Sequence, residues 1–330
     1  MGSTGISATP IGVIVLGYNR FNETTERCLA SLAQDPDFRT WNVLMVDNGS
    51  NAENRDAAKQ AAAHYRGLRL IRIEHNAGFP GGMNAGLRQV EGDLIIMISS
   101  DVLVPPGTVG RLAAAFERYP GAGLICPVTN NAGNEQRIFT EAGADVGSVL
   151  AQGRAFAEAT SGGIVSAYRL DLCCAGLRRT AMDRVGLFDE AFSPGYYEDF
   201  DYSLRIRKAG FELLVIETAF VYHEGGGTFG QVSSEKKALI TRNKNLFLRK
   251  HGRETPLPHA RDCNLAALAQ YAGQAQRGEL VSAYRVSNRL KLAETDMPRS
   301  PFKRWRYRRR VAAVRARLKP LLPGRDSAAG

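Results

Sequence analysis

Short apolar runs recur through the first 130 positions, each followed by a stretch with helical spacing. The runs are IGVIVL at 11–16, WNVLMV at 41–46, LRLIRI at 68–73, LIIMI at 94–98 and AGLICP at 122–127. Each has the length and composition of a buried strand. Helical patterns occupy 22–34, 52–65, 81–90 and 107–118 between them. This alternation predicts an α/β fold with an open, mostly parallel central sheet flanked by helices. In such sheets ligands bind beyond the C-terminal ends of the strands. Residues 128–168 are rich in Gly, Ala, Ser, Thr and Asn and predict loops with short strands. A mixed block of strands and helices follows at 170–250, and from about 255 the chain becomes helical and increasingly basic. The implied organisation is a disordered leader (1–10), two halves of one domain (11–127 and 128–252) and a basic helical extension (253–330).

Polar residues collect at the strand ends. After the first strand comes GYNRFNE, where a dinucleotide-binding fold would place G-x-G-x-x-G; Gly17 stands alone, which argues against NAD or FAD. Tyr18, Asn19 and Arg20 follow instead, a set suited to stacking on a base or to an ordinary loop. Asp47 ends the second strand, where a carboxylate can accept the imide N–H of a pyrimidine or cap the turn at Asn48-Gly49-Ser50. The third strand leads to Asn76, Gly78, Gly81, Gly82, Asn84 and Gly86, a loop that lets backbone approach a ligand or simply turn tightly. The fourth strand delivers Ser99, Ser100 and Asp101. An aspartate beside a diphosphate is repelled unless a bridging Mg²⁺ or Mn²⁺ takes oxygens from both sides.

The second half offers YYEDFD, with Tyr196, Tyr197, Glu198, Asp199 and Asp201 at the start of a predicted helix running to about 209. The helix dipole alone would account for acids there, but not for the aromatic pair beside them. His223 ends an apolar strand just before Gly225-Gly226-Gly227, and a lone histidine in that setting reads as structural on its own. TRNKNLFLRKHG at 241–252 is a further helix.

Together these residues resemble the family 2 glycosyltransferases with their GT-A nucleotide-sugar-binding fold, over roughly 11–250. The resemblance implies that 11–127 binds the nucleotide-sugar, through Tyr18, Asn19, Arg20, Asp47, Asn76, Gly78, Asn84, Ser99 and Ser100. Ser99–Asp101 stand at the family's D-x-D motif, with Ser99 in place of the first acid and Asp101 kept as the metal-contacting one. His223 is implied as a further metal or diphosphate contact, and Arg242 as a contact to the phosphates. In E-D-x-D the second acid, Asp199, is implied as the general base, with Gly176, Tyr197, Glu198 and Asp201 on the acceptor side. GYNR, NNAG, SSDV and GLFDEAF…YYEDFD are most similar to bacterial rhamnosyltransferase-type members, which build O-antigen and other envelope polysaccharide. The expected activity is inverting transfer from a dTDP- or UDP-sugar to a saccharide or lipid-linked acceptor, with Mg²⁺ or Mn²⁺. A nucleotidyltransferase would need a G-x-G-T-R-like loop after the first strand, which is missing. A non-catalytic scaffold is the other alternative, and the intact EDFD and Asp101 argue against it.

Composition adds three points. Hydrophobic content of 44% and charged content of 23% are those of a soluble globular protein, and no apolar run nears the roughly 20 residues of a membrane span. The N-terminal MGSTGISATP lacks a signal peptide's basic and apolar regions and, with Ile6, the myristoylation pattern. Five cysteines without metal or scaffold spacing suggest reduced thiols and a cytoplasmic setting.

Net charge is +10, but eleven Lys or Arg and no acid lie between Arg299 and Arg325, leaving 32 basic against 33 acidic residues elsewhere. A body without a basic face does not suit nucleic acid. The tail predicts a basic amphipathic helix with Tyr307, Val311, Val314 and Leu318 as its apolar stripe, suited to peripheral contact with the inner face of the cell membrane. Packing on the body is the alternative. Apolar positions between 260 and 295 can support a homodimer.

Overall fold

The computed structural model describes residues 10–159, 163–225 and 234–322. Its centre is a nine-stranded mixed sheet. In chain order the strands are β1 (Ile11–Gly17), β2 (Asn42–Asn48), β3 (Leu68–Ile73), β4 (Leu94–Ser99), β5 (Val102–Leu103), β6 (Ala122–Thr129), β7 (Ile164–Ser166), β8 (Cys174–Arg178) and β9 (Glu212–His223). They lie in the order β3-β2-β1-β4-β8-β6-β9-β5, with β7 also on β9. The helices are α1 (Glu26–Leu32), α2 (Ala52–His64), α3 (Gly78–Leu87), α4 (Thr108–Arg118), α5 (Val146–Glu158), α6 (Arg179–Val185), α7 (Glu198–Lys208), α8 (Ser234–His251), α9 (Ala260–Gln276), α10 (Ala283–Thr295) and α11 (Pro301–Leu318).

The predicted parallel sheet is the β3-β2-β1-β4 half, where every pairing is parallel. Beyond it β8 runs antiparallel to both β4 and β6, so the second half is mixed. Side chains alternate across the strands, and both faces are covered. Val13 and Val15 pack with Leu29, Leu32, Leu112 and Phe116 on one side. Ile14 and Leu16 pack with Met83 and Leu87 on the other. Burial on both faces is why these strands read as unbroken apolar runs.

Three sequence expectations change. The loop region 128–168 contains the 13-residue helix α5. A Cβ on its Gly153 would come within 2.2 Å of the Phe220 ring, so this glycine lets the helix lie close on β9. The helix expected at 81–90 begins earlier, at Gly78, and its glycines serve packing: a Cβ on Gly82 would meet Leu16 at 2.6 Å and one on Gly86 would meet Ile14 at 2.7 Å.

The third change concerns the stripe Tyr307, Val311, Val314 and Leu318, which faces the body and not a membrane. Tyr307, Val311 and Leu318 are buried in the core, in the same apolar cluster as Leu265, Leu268 and Leu290 of α9 and α10. Those helices are fastened to the sheet by a fully buried polar cluster. Arg289 donates from Nη2 to Glu217 at 2.7 Å and to the Glu135 carbonyl at 2.8 Å, while Tyr271 also bonds Glu217.

Candidate active site

The C-terminal ends of β1 and β4 and the start of α7 surround a cleft of about 760 Å³. Tyr18, Arg20, Asn76, Gly78, Ser99 and Ser100 line it from the first half of the chain. Asp101 and His223 stand together, and Tyr197, Glu198 and Asp199 face them from the second half. Four non-glycine residues, Asn19, Arg20, Tyr196 and Tyr197, adopt positive φ between 46° and 73°. Three of the four line the cleft. Such backbone is costly and persists where the surroundings over-determine it.

Asp101 and His223 meet because β5 pairs antiparallel with the end of β9, putting Val102 opposite His223. The Glu224 amide also donates to the Asp101 carbonyl at 3.0 Å. His223 Nε2 lies 3.5 Å from Asp101 Oδ2, and its Nδ1 donates to the Asn131 carbonyl at 2.9 Å. That second bond fixes the ring so that Nε2 points at the carboxylate, the arrangement in which an imidazole serves as a metal ligand. Burial works to raise the Asp101 pKa, but the hydrogen bond and charge of His223, with the Arg20 charge and a backbone bond, together outweigh it and hold the carboxyl below its usual range. Burial works to lower the imidazole, which neighbouring Cys173 and Asp101 instead raise to about 12. A cation entering between them would take the place of the Nε2 proton, and one carboxylate oxygen with the freed imidazole nitrogen then suits Mg²⁺ or Mn²⁺ whose remaining ligands come from phosphate and water. Among the described residues no group of three or more His, Cys, Asp and Glu could hold a metal by itself.

Across the cleft, the YYEDFD turn is held by α8. The Asn243 amide donates to the carbonyls of Phe192, Gly195 and Tyr196 at 2.7–2.9 Å. Asp199 then faces a buried arginine, Arg169, whose Nη1 is 3.3 Å from its Oδ2. The same guanidinium pairs with Asp171, donates to the Gly133 carbonyl at 2.9 Å and lies 4.0 Å above the Phe200 ring. Burial pushes Asp199 up to about 7; Arg169 opposes the rise and Asp171 adds to it. Burial likewise drives Glu198 well above the carboxylate range, helped by the charge of Asp199. Glu198 Oε2 is buried and has no hydrogen-bond partner among the described residues. For these two acids desolvation overrides the helix dipole that the sequence suggested.

Six predicted site residues stand outside the cleft lining. Asp47 is 1% exposed; its Oδ1 accepts from the Ser50 amide at 3.0 Å and its Oδ2 is paired with Arg72. Asn19 staples two loops, accepting from the Asn51 amide and donating its own amide to Ser50. Asn84 is buried between the Phe188 carbonyl and Glu190. Asp201 is fully buried and spends both oxygens on Arg205, Lys250 and His251. Gly176 sits within β8, where a Cβ would strike the Phe116 ring. Arg242 donates to the Ala191 and Ser193 carbonyls and buttresses the acidic turn. Gly226 and Gly227, named after His223, lie outside the described residues.

Conversely, Arg169, Asp171, Asn131 and Cys173 line the cleft and went unnoticed. They lie in a stretch of mixed composition with no periodic or spacing signal.

Comparison with known proteins bears on the family and the fold. The sequence profile of the family described as "Glycosyl transferase family 2" matches residues 12–185. An "N-acetylglucosaminyl-diphospho-decaprenol L-rhamnosyltransferase" of Mycobacterium tuberculosis (strain ATCC 25618 / H37Rv) is 28% identical over 261 residues, covering 68% of this chain and 79% of the relative. In structure the chain is similar to a mannosyltransferase from Pyrobaculum calidifontis in complex with GDP-Man and Mn²⁺ (TM-score 0.56, 16% identity, 96% of this chain and 88% of that one). It is also similar to GalNAc-T7 with UDP, GalNAc and Mn²⁺ (TM-score 0.54, 17% identity, 77% of this chain and 52% of that one). The chain belongs to glycosyl transferase family 2, and it is a glycosyltransferase with the GT-A fold.

Proposed function

We propose that the protein moves a sugar, with inversion, from a pyrimidine nucleoside diphosphate donor to a hydroxyl of a saccharide or lipid-linked acceptor in bacterial envelope polysaccharide synthesis. The observation that carries this reading is the pairing across one cleft of a phosphate-side set, Asp101 and His223, with a buried carboxylate, Asp199. dTDP-rhamnose is the first donor we propose, in keeping with the rhamnosyltransferase relative, and a UDP-hexose the second. The decaprenyl diphosphate named for that relative supports a lipid-linked acceptor here.

Asp101 and His223 would hold a divalent cation, which when bound supplies positive charge to the departing diphosphate. The rest of the chemistry falls to side chains. Tyr18 offers a face for the base, and Asn48 braces the loop beneath by bonding Asn76 and the Gly78 carbonyl. Glu198, kept protonated by burial, can donate a hydrogen bond to an acceptor oxygen. Asp199 takes the proton of the attacking hydroxyl as that oxygen bonds to the anomeric carbon. The bond from that carbon to the diphosphate breaks, and its electron pair leaves with the nucleotide. A carboxyl pushed up to about 7 is matched to this task at neutral pH, being both substantially ionised and basic enough to accept the proton.

The test is Asp199→Asn. Nucleotide release in the presence of acceptor should fall by a factor on the order of 10²–10⁴, the usual worth of a general base, while dTDP or UDP binding stays within a few-fold. Unchanged turnover would remove Asp199 from the role.

A further inference from the structure

We propose that the outer face of α11 is a docking surface for an anionic lipid bilayer. With one side of this helix consumed by the core, the opposite side carries Phe302, Trp305, Arg309, Ala312 and Ala316, spaced i, i+3, i+7, i+10 and i+14. Phe302 and Trp305 are 64% and 54% exposed, two of only four large hydrophobic side chains so exposed among the described residues. Their rings stack on each other, 6.3 Å apart, and Arg306 and Arg309 lie over them at 5.8 Å and 5.1 Å. Monomeric proteins gain nothing from holding two aromatic rings in water, whereas rings of this kind flanked by cations are at home at a headgroup boundary.

Charge singles out the occupant. Arg310 pairs with Asp262 and Arg315 with Glu294. Lys303, Arg304, Arg306, Arg308, Arg309 and Arg317 form no ion pair among the described residues, all six being exposed on a helix without a single acid. Each cation near an anionic leaflet strengthens partitioning by about fivefold. An acidic protein partner would supply the charge but no bed for two exposed rings, and RNA would find no aromatic-studded sheet or groove here. This surface is independent of the chemistry in the cleft.

The test uses the full-length chain and two kinds of vesicle, pure phosphatidylcholine and phosphatidylcholine containing phosphatidylglycerol. Binding by sedimentation should be at least about tenfold stronger on the anionic vesicles and should weaken with added salt. Of the two tryptophans Trp41 is buried, so a blue shift of emission on binding reports Trp305. Phe302→Ser with Trp305→Ser, and separately Arg306→Gln with Arg309→Gln, should each lower binding tenfold or more. Both should leave circular dichroism, and nucleotide release during transfer to a water-soluble acceptor, unchanged. Binding that is absent, or indifferent to both double variants, would overturn the proposal. So would tighter binding to a single-stranded RNA probe than to anionic vesicles. A concentration-dependent dimer abolished by the aromatic double variant would also overturn it, in favour of a second copy on this face.

Discussion

Replacing Arg169 by Gln removes a buried positive charge facing a group of three half-buried carboxylates, Asp171, Glu198 and Asp199. The guanidinium lies 3.3 Å from Asp199 Oδ2, a separation at which opposite unit charges attract by about 5 kcal/mol at an effective dielectric of about 20. Asp171 shares the same guanidinium, so only part of that energy acts on Asp199. Aspartates beside an arginine are typically held down by about 1–3 pKa units, and release of that restraint would carry the Asp199 carboxyl from about 7 into the alkaline range. At pH 7 the base form would then fall from about half to between roughly a tenth and a thousandth of the population, costing on the order of 5- to 500-fold in rate.

The assay is nucleotide release as a function of pH, read as kcat/KM. The acidic limb should move upward in Arg169→Gln, with activity recovering near pH 9. Asp171→Asn removes a like charge and should move the limb downward. Arg169→Lys keeps the charge but not the two-pronged contact, and should restore most of the position of the limb with a lower plateau. Opposite displacements in the first two variants cannot come from a general loosening of the cleft. A uniform loss of rate with the limb in place would refute the reasoning and reduce Arg169 to a packing residue. Because Glu198 and Asp199 titrate together, the limb is a property of that pair, and the displacement is what identifies the arginine's part.

Other consequences follow from the geometry. Calorimetry with dTDP, UDP and GDP should show Mg²⁺- or Mn²⁺-enhanced binding of one pyrimidine diphosphate, and Asp101→Asn should abolish the enhancement while leaving metal-free binding intact. Asp201→Ala strands Arg205, Lys250 and His251 around a void and should cost about 3–5 kcal/mol in denaturant unfolding. The Asp201 carboxyl is held below its usual range, since Lys250, Arg205 and His251 outweigh burial, so its stabilisation is complete above the unfolded value near 4 and lost as pH falls through the folded one. Wild-type unfolding between pH 5 and 2 should therefore lose a component that the variant lacks. Arg289→Met leaves the buried Glu217 carboxyl without its guanidinium partner, and should lower the midpoint of thermal unfolding by several degrees, whereas Arg289→Met with Glu217→Leu should recover part of the loss.

What could be read in the sequence depended on whether a signal was local. The strand at 68–73 is bounded in the structure as its pattern predicts, because burial on the sheet imposes its period on the chain itself. Asp101 and Asp199 stood out because each lies in a short polar motif at the end of an element, and both line the cleft. Arg169 had no such marker. Its meaning comes from its near neighbour Asp171 together with Gly133 and Asp199, the last two brought to it from separate stretches of the chain. The same limit explains why Asp201 misled: its neighbours in the motif face the cleft, but one helical step turns its carboxylate inward to Arg205 and His251.

The tail shows the converse. Its periodicity correctly identified an amphipathic helix, yet periodicity says that one face is buried without saying in what. Only the placement of α9 decides that the stripe of Tyr307 and Val311 belongs to the core. That decision gives Phe302 and Trp305 their significance, because a helix already anchored on one side has no structural need for aromatic rings on the other. Two exposed rings beside unpaired cations then call for a partner outside the chain.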